Sequence, residues 1–214
     1  MKLSINIPEN LKEITLLQYQ RWLKVADGQE KTVFLKQKMV EIFCNISLQK
    51  ASEIKLNDLD RITNLIDKIF ESETPLIRKF KLNGIQYGFI PKLDDITGGE
   101  FIDLTSNMPD WQKMDKAMNV LFRPIELEKK EKYLIEDYET ASKYDLKLMK
   151  LDVVFGALVF FWNLKKESTN HILSYLVSQT DVEVPQELRD LLLNTDGINP
   201  STDLQKGILD GLMI

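Results

Sequence analysis

Phe80-Lys81-Leu82-Asn83-Gly84-Ile85-Gln86-Tyr87-Gly88-Phe89 decides the fold class. Phe80 and Leu82 alternate with polar residues ahead of Asn83-Gly84, and Ile85, Tyr87 and Phe89 alternate behind it. A period of two is strand patterning, and Asn-Gly supplies two residues tolerant of positive φ, as a type I′ turn requires. The stretch is a β-hairpin by its own chemistry, and Pro91 closes its second strand. A lone hairpin is marginal in water. Leu3, Ile5 and Ile7 alternate in the same way ahead of Pro8 and offer a third strand.

Outward from the hairpin the period changes to three and four. Leu16, Tyr19, Leu23 and Ala26 predict a first helix that stops at Asp27-Gly28. A second is expected from about Thr32 to Ile46, with Phe34, Leu35, Met39, Ile42 and Phe43 on one face. Asn57 is a good N-cap for a third, where Leu59, Ile62, Leu65, Ile66 and Ile69 repeat. Beyond the hairpin, Thr97 and Glu100 match a capping box. Another helix follows Pro109 with Trp111, Met114, Met118, Leu121 and Phe122, and Pro124 stops it. Glu126 to Asp137 is charged and mixed in sign, and reads as a solvated connection. A long helical stretch from about Ser142 to Ser178 is apolar nearly all round at its centre, so it runs through the core or into a partner. The tail holds a short helix after Pro185, a turn at Asp196 to Pro200 and an amphipathic piece over roughly Thr202 to Leu212. The expected fold is mainly α with a small antiparallel β-hairpin element, a helix-dominated α+β class. One helical domain spans 1–180, with the hairpin near 80–90, and a C-terminal helical tail spans 181–214.

Composition removes several function classes. The 214 residues are 43% apolar and 29% charged, enough to bury a real core and too apolar for wholesale disorder. The net charge of −5 gives no general pull toward phosphate backbones, so no nucleic-acid partner is expected. Cys44 and His171 are the sole residues of their types, so an internal disulfide is impossible and Cys/His zinc sites lack ligands. Any His-dependent nucleophilic mechanism would have to use His171, beside which no nucleophile motif stands. Cys44 reads as a small buried hydrophobe. The N-terminus lacks the apolar run of a signal peptide, which makes the cytoplasm the default compartment. The most apolar run, Val153 to Trp162, is ten residues long, whereas a bilayer span needs about 20.

The densest acidic stretch is 93–110, with Asp94, Asp95, Glu100, Asp103 and Asp110 and no Lys or Arg. Grouped carboxylates can hold Mg²⁺ or Ca²⁺, which makes a metal-dependent enzyme the remote alternative. Helix capping and a solvated loop explain the same residues without a ligand. Asp110 with Glu128-Lys129-Lys130 mimics a nuclease core, but on a helix start and a connector. Asn194-Thr195-Asp196-Gly197 resembles a calcium loop that fails at its first ligand, where Leu192 stands. Gly98-Gly99 lies in neither of the glycine-rich nucleotide motifs. Tyr87 and Phe89 are expected in the core rather than on a base-stacking surface. No catalytic residue, metal or cofactor is assigned, and the chain reads as a non-enzyme.

One longer pattern is familiar as a whole. It runs from Tyr87-Gly88-Phe89-Ile90-Pro91-Lys92-Leu93-Asp94-Asp95-Ile96-Thr97-Gly98-Gly99-Glu100-Phe101-Ile102-Asp103-Leu104 through Trp111 and Met118-Asn119-Val120-Leu121-Phe122-Arg123-Pro124-Ile125. Tyr133, Glu136 and Tyr138 follow, then Phe160-Phe161-Trp162, and Ile14 to Gln20 belongs to it too. This resembles morphogenesis-region proteins of tailed bacteriophages of Bacteroidota, crAss-like phages included. The resemblance leans on positions 87–138 and implies a particle-assembly protein similar in profile to tail-assembly chaperones. A virion structural or cargo protein of the capsid, neck or tail is the alternative. The implied partners are phage structural proteins or copies of the chain itself. The implied location is the host cytoplasm during assembly, or alternatively the virion. The apolar run and the last amphipathic piece supply the candidate interaction surface: Val153, Phe155, Phe160 and Trp162, with Leu204, Ile208 and Leu212. The competing expectation is that both segments close the domain's own core.

Overall fold

Thr15 sets the first helix. Its hydroxyl accepts the Gln18 N–H at 3.3 Å, and the Gln18 side chain accepts the Thr15 N–H at 2.9 Å. This capping box opens α1 (Leu16–Ala26). Gly28, at φ +62°, turns the chain away beyond it. The computed structural model describes residues 5–163 except 29, 31, 73 and 131. Thr32 caps α2 (Val33–Phe43), and Ser47 caps α3 (Leu48–Ser52), a short helix the periodicity does not announce. α4 (Leu56–Phe70) starts earlier than Asn57 suggests. Lys55 takes the cap position without a side-chain bond, and Asn57 lies in the first turn. Leu35, Met39, Ile42 and Phe43 of α2 are buried, as are Leu59, Ile62, Ile66 and Ile69 of α4. Phe34 and Leu65, expected on those faces, are exposed. Each helix turns a narrower stripe to the core than its apolar content allows.

The hairpin forms as expected. β1 (Lys79–Leu82) and β2 (Ile85–Phe89) pair in register Phe80↔Tyr87 and Leu82↔Ile85, with Asn83 at φ 50° and Gly84 at φ 85°. The rest of the sheet departs from the sequence reading. Ile5 to Ile7 form no strand, and Leu3 lies outside the described residues. The third strand is β3 (Phe122–Lys129) and the fourth is β4 (Lys132–Ile135), giving an antiparallel sheet in the order β1-β2-β3-β4. The charged segment 126–137 is therefore largely strand. Ile125 pairs with Ile135 and Leu127 with Leu134, and an irregularity between Ile125 and Leu127 carries Glu126. Before the sheet resumes come α5 (Gly98–Asn107), opened by the Thr97–Glu100 capping box, and α6 (Met114–Leu121). Phe122 is strand rather than helix. A proline pushes the preceding residue into extended backbone, so Pro124 prevents α6 from continuing through Arg123.

The last described helix, α7 (residues 151–163), begins later than the expected start near Ser142. The residues ahead of it lie against the start of α1. The Leu16 and Leu17 N–H groups donate to the carbonyls of Met149 (3.0 Å) and Lys147 (2.8 Å), and Leu151 N–H donates to the Ile14 carbonyl (2.9 Å). These amides have no partner within their own helices, so each helix start caps the other. α7 then runs through the core, with 151–158 buried throughout. Phe155 meets Tyr19 and Trp111 at ring distances of 5.5 and 5.8 Å. Gly156 lies so close to the segment before β1 that an added Cβ would stand 2.3 Å from the Pro75 carbonyl oxygen. The architecture is mainly helical with a small antiparallel sheet. No described helix is long and apolar enough to cross a membrane.

Candidate interaction surface

The acidic stretch is held by its own fold. Glu100 uses one carboxylate oxygen to accept the Thr97 N–H at 2.7 Å and the other to pair with Arg123 at 2.7 Å. Both side chains of that pair are nearly buried. Asp103 accepts the Tyr138 hydroxyl, and the Arg123 guanidinium stands 5.8 Å from the centre of the Tyr138 ring. Burial, and then Asp103, push the Tyr138 phenol well above its ordinary range. Asp110 accepts the Gln112 N–H at 2.8 Å and lies 3.4 Å from Lys113, while Asp95 lies 3.5 Å from Lys92. The Asp94 side chain lies outside the description. Among the described residues no three Asp, Glu, Cys or His side chains gather closely enough to hold a metal ion. The nuclease-like pair is separated in role: Asp110 caps a helical turn, and Glu128, on β3, pairs with Lys79 at 2.7 Å.

A second polar cluster closes the other side of Arg123. The Asn119 side chain pins Tyr144 by two bonds, donating to its carbonyl at 2.7 Å and accepting its N–H at 3.0 Å. Glu136 accepts from Lys143 at 2.8 Å and from the Tyr144 hydroxyl, and Lys143 also reaches Glu139 at 2.7 Å. These hydrogen bonds hold the Glu136 carboxyl below its usual range. Burial, and then Glu136, raise the Tyr144 phenol to about 12. The cleft between these groups measures about 10 Å³, room for about one water and far below the roughly 300 Å³ at which small-molecule sites begin. The cluster joins α6, β3 and the segment after β4, and its chemistry is that of a structural network.

Apolar surface is where the molecule departs from a closed fold. Register places Phe80, Tyr87, Phe89 and Phe122 on one face of the sheet, against the core. Alternation through the irregular step puts Leu127 and Leu134 on that same face, but beyond the edge of the core, where they are 59% and 61% exposed. The opposite face is closed by Tyr133. Its ring lies over Gly88, where an added Cβ would meet it at 2.5 Å, and its hydroxyl donates to the Phe89 carbonyl at 2.7 Å. On α5, adjacent Phe101 and Ile102 are 56% and 64% exposed. These four are the most exposed large apolar side chains among the described residues. Full burial of such a side chain stabilises by about 1.5–3 kcal/mol, so each is a source of binding energy for whatever covers it.

Two of the four α7 residues named for the candidate surface lie in the core. Val153 and Phe155 are each only 3% exposed and belong to the core, because a helix apolar on every side satisfies its own domain first. Phe160 and Trp162 are half-buried, and Phe160 packs on Phe89 at 5.5 Å. Leu204, Ile208 and Leu212 lie outside the described residues, as do the 181–214 tail, His171 and the turn at Asp196. Cys44 is buried, which pushes its thiol up to about 11. The exposed pairs on α5 and the β3–β4 hairpin escaped the sequence reading. One readable signal existed: Phe101 and Ile102 are neighbours on a helix, and a one-sided helix rarely buries both. Comparison with protein-family models, with curated proteins and with solved structures finds no match.

Proposed function

We propose that the chain acts in the assembly of a tailed-phage particle by protein–protein contacts, as a tail-assembly chaperone-like factor in the host cytoplasm. Phe101 and Ile102 carry the reading. They stand side by side on α5, more than half exposed, and fall inside the 87–138 stretch on which the resemblance to phage morphogenesis proteins leans. The Glu100 and Asp103 carboxylates beside them are engaged in a cap, an ion pair and a hydrogen bond from Tyr138, so the feature α5 offers a partner is apolar area. An amphipathic helix of a tail component laid along α5 would cover it.

The test is quantitative mass spectrometry of infected cells and of purified particles, beside a Phe101→Ser/Ile102→Ser variant. The expected result is a protein abundant in the lysate and absent from particles. The variant is expected to lower particle yield about tenfold, the effect of roughly 1.4 kcal/mol of lost binding, with an unchanged Tm. Stoichiometric copies in mature particles would replace the chaperone by a structural or cargo protein. An unchanged yield would remove α5 from the reading.

A further inference from the structure

The outer strand of the sheet carries a second, independent surface. Among the described residues β4 is paired on one side only. The register Leu127↔Leu134 and Lys129↔Lys132, continued by the Glu136 N–H to the Pro124 carbonyl at 2.9 Å, turns the backbone of 132, 134 and 136 toward β3. Alternation then turns the N–H and C=O groups of Tyr133 and Ile135 outward. Among the described residues no hydrogen bond from another element reaches them. The same alternation sets Lys132, Leu134 and Glu136 on one face, beside the exposed Leu127.

We propose that two copies of the chain pair through their β4 strands, antiparallel, about a two-fold axis through Leu134. In that register Leu134 faces Leu134 of the second copy. The four residues Leu127, Leu134 and their two symmetry mates line up across one face, and each Lys132 stands opposite a Glu136. Tyr133 and Ile135 exchange backbone hydrogen bonds with Ile135 and Tyr133 of the other chain. The neighbouring registers fail on the same residues. Centring on Lys132 sets lysine against lysine, centring on Tyr133 sets Lys132 against Leu134, and centring on Ile135 sets Leu134 against Glu136. Edge lysines ordinarily discourage strand pairing; here the lysine meets a carboxylate. A contact of about five residues per strand belongs to the weak, concentration-dependent class of interfaces. It uses other residues than the α5 surface, so the two proposals fail separately.

The experiment uses the full chain. Sedimentation across a concentration series is expected to show the mass rising from 24.9 kDa toward twice that value, and Leu134→Lys is expected to hold it at the monomer. Facing residues of a non-hydrogen-bonded antiparallel pair have Cα atoms about 4.5 Å apart, within disulfide range. Leu134→Cys is therefore expected to form a covalent dimer under mild oxidation, since the native Cys44 is buried. Leu127→Cys, about equally exposed but with two strands between it and its mate, is expected to stay single. A monomer at every concentration, a dimer that survives Leu134→Lys, or equal cross-linking at 127 and 134 would each overturn the proposal.

Discussion

At Gly156 one hydrogen atom in place of a methyl group sets the distance between α7 and the chain entering β1. Alanine would gain about 1 kcal/mol of helix propensity there. Its Cβ, however, would fall 2.3 Å from the Pro75 carbonyl oxygen, and backbone cannot swing aside as a side chain can. Overpacking of this kind costs about 1–3 kcal/mol or more, so the clash wins. Gly156→Ala is expected to lower the stability by about 2 kcal/mol, read as a fall in denaturation midpoint. At this scale the sequence shows residue types but not their partners. The carboxylates of 93–110 are visible as a cluster, yet Glu100 is explained by Arg123, which arrives only after a whole further helix. The Thr97–Glu100 box was legible because both of its partners lie within one turn.

The two hairpins show how element legibility depends on turn chemistry. Asn83-Gly84 announces the first, because few residue pairs accept two positive φ angles. The second turns through Lys130 at φ 58°, and lysine sends no such signal. The alternation of Ile125 and Leu127 with Glu126 and Glu128 is present, but a run of charges on both sides of the turn masks it. A side chain in the left-handed region costs roughly 1–2 kcal/mol, and asparagine tolerates it better. Lys130→Asn is therefore expected to stabilise the protein by about 0.5–1 kcal/mol, raising Tm by a few degrees. A fall in Tm would show that the lysine has a contact that outweighs the strain. The start of α7 was illegible for another reason. Residues 142–150 have helix-compatible composition, and a tertiary bridge from Lys150 to Thr15 holds them out of the helix.

Across the whole molecule, the apolar run that could enter the core or meet a partner takes the core over residues 151–158, since the arrangement of the other helices decides which apolar face is left over. One polar group went inward with it. Asp152 is 5% exposed at the start of α7, and burial raises its carboxyl above the ordinary value despite the nearby charges of Lys12 and Lys150. A carboxyl raised on folding adds stability while it is protonated, below its unfolded value near 4, and that stability is lost as the pH rises through the folded value. Neutral pH therefore carries the full penalty. Asp152→Asn is expected to raise Tm at pH 7, with the advantage shrinking as the pH falls through the raised folded value and gone by about pH 4; equal Tm values across that range would show that the buried charge is compensated.

The reciprocal capping of α1 and α7 has a consequence in time. Leu16 and Leu17 find their carbonyl partners 133 and 130 residues further along the chain. A ribosome synthesising from the N-terminus completes α1 long before those partners exist. The opening helix must wait, its first amides solvated, until the segment ahead of α7 has emerged. Pairings of such long sequence separation slow folding because a large loop has to close before they reward it. α1, made well before α7, is thus finished only after the segment leading into α7 has joined it.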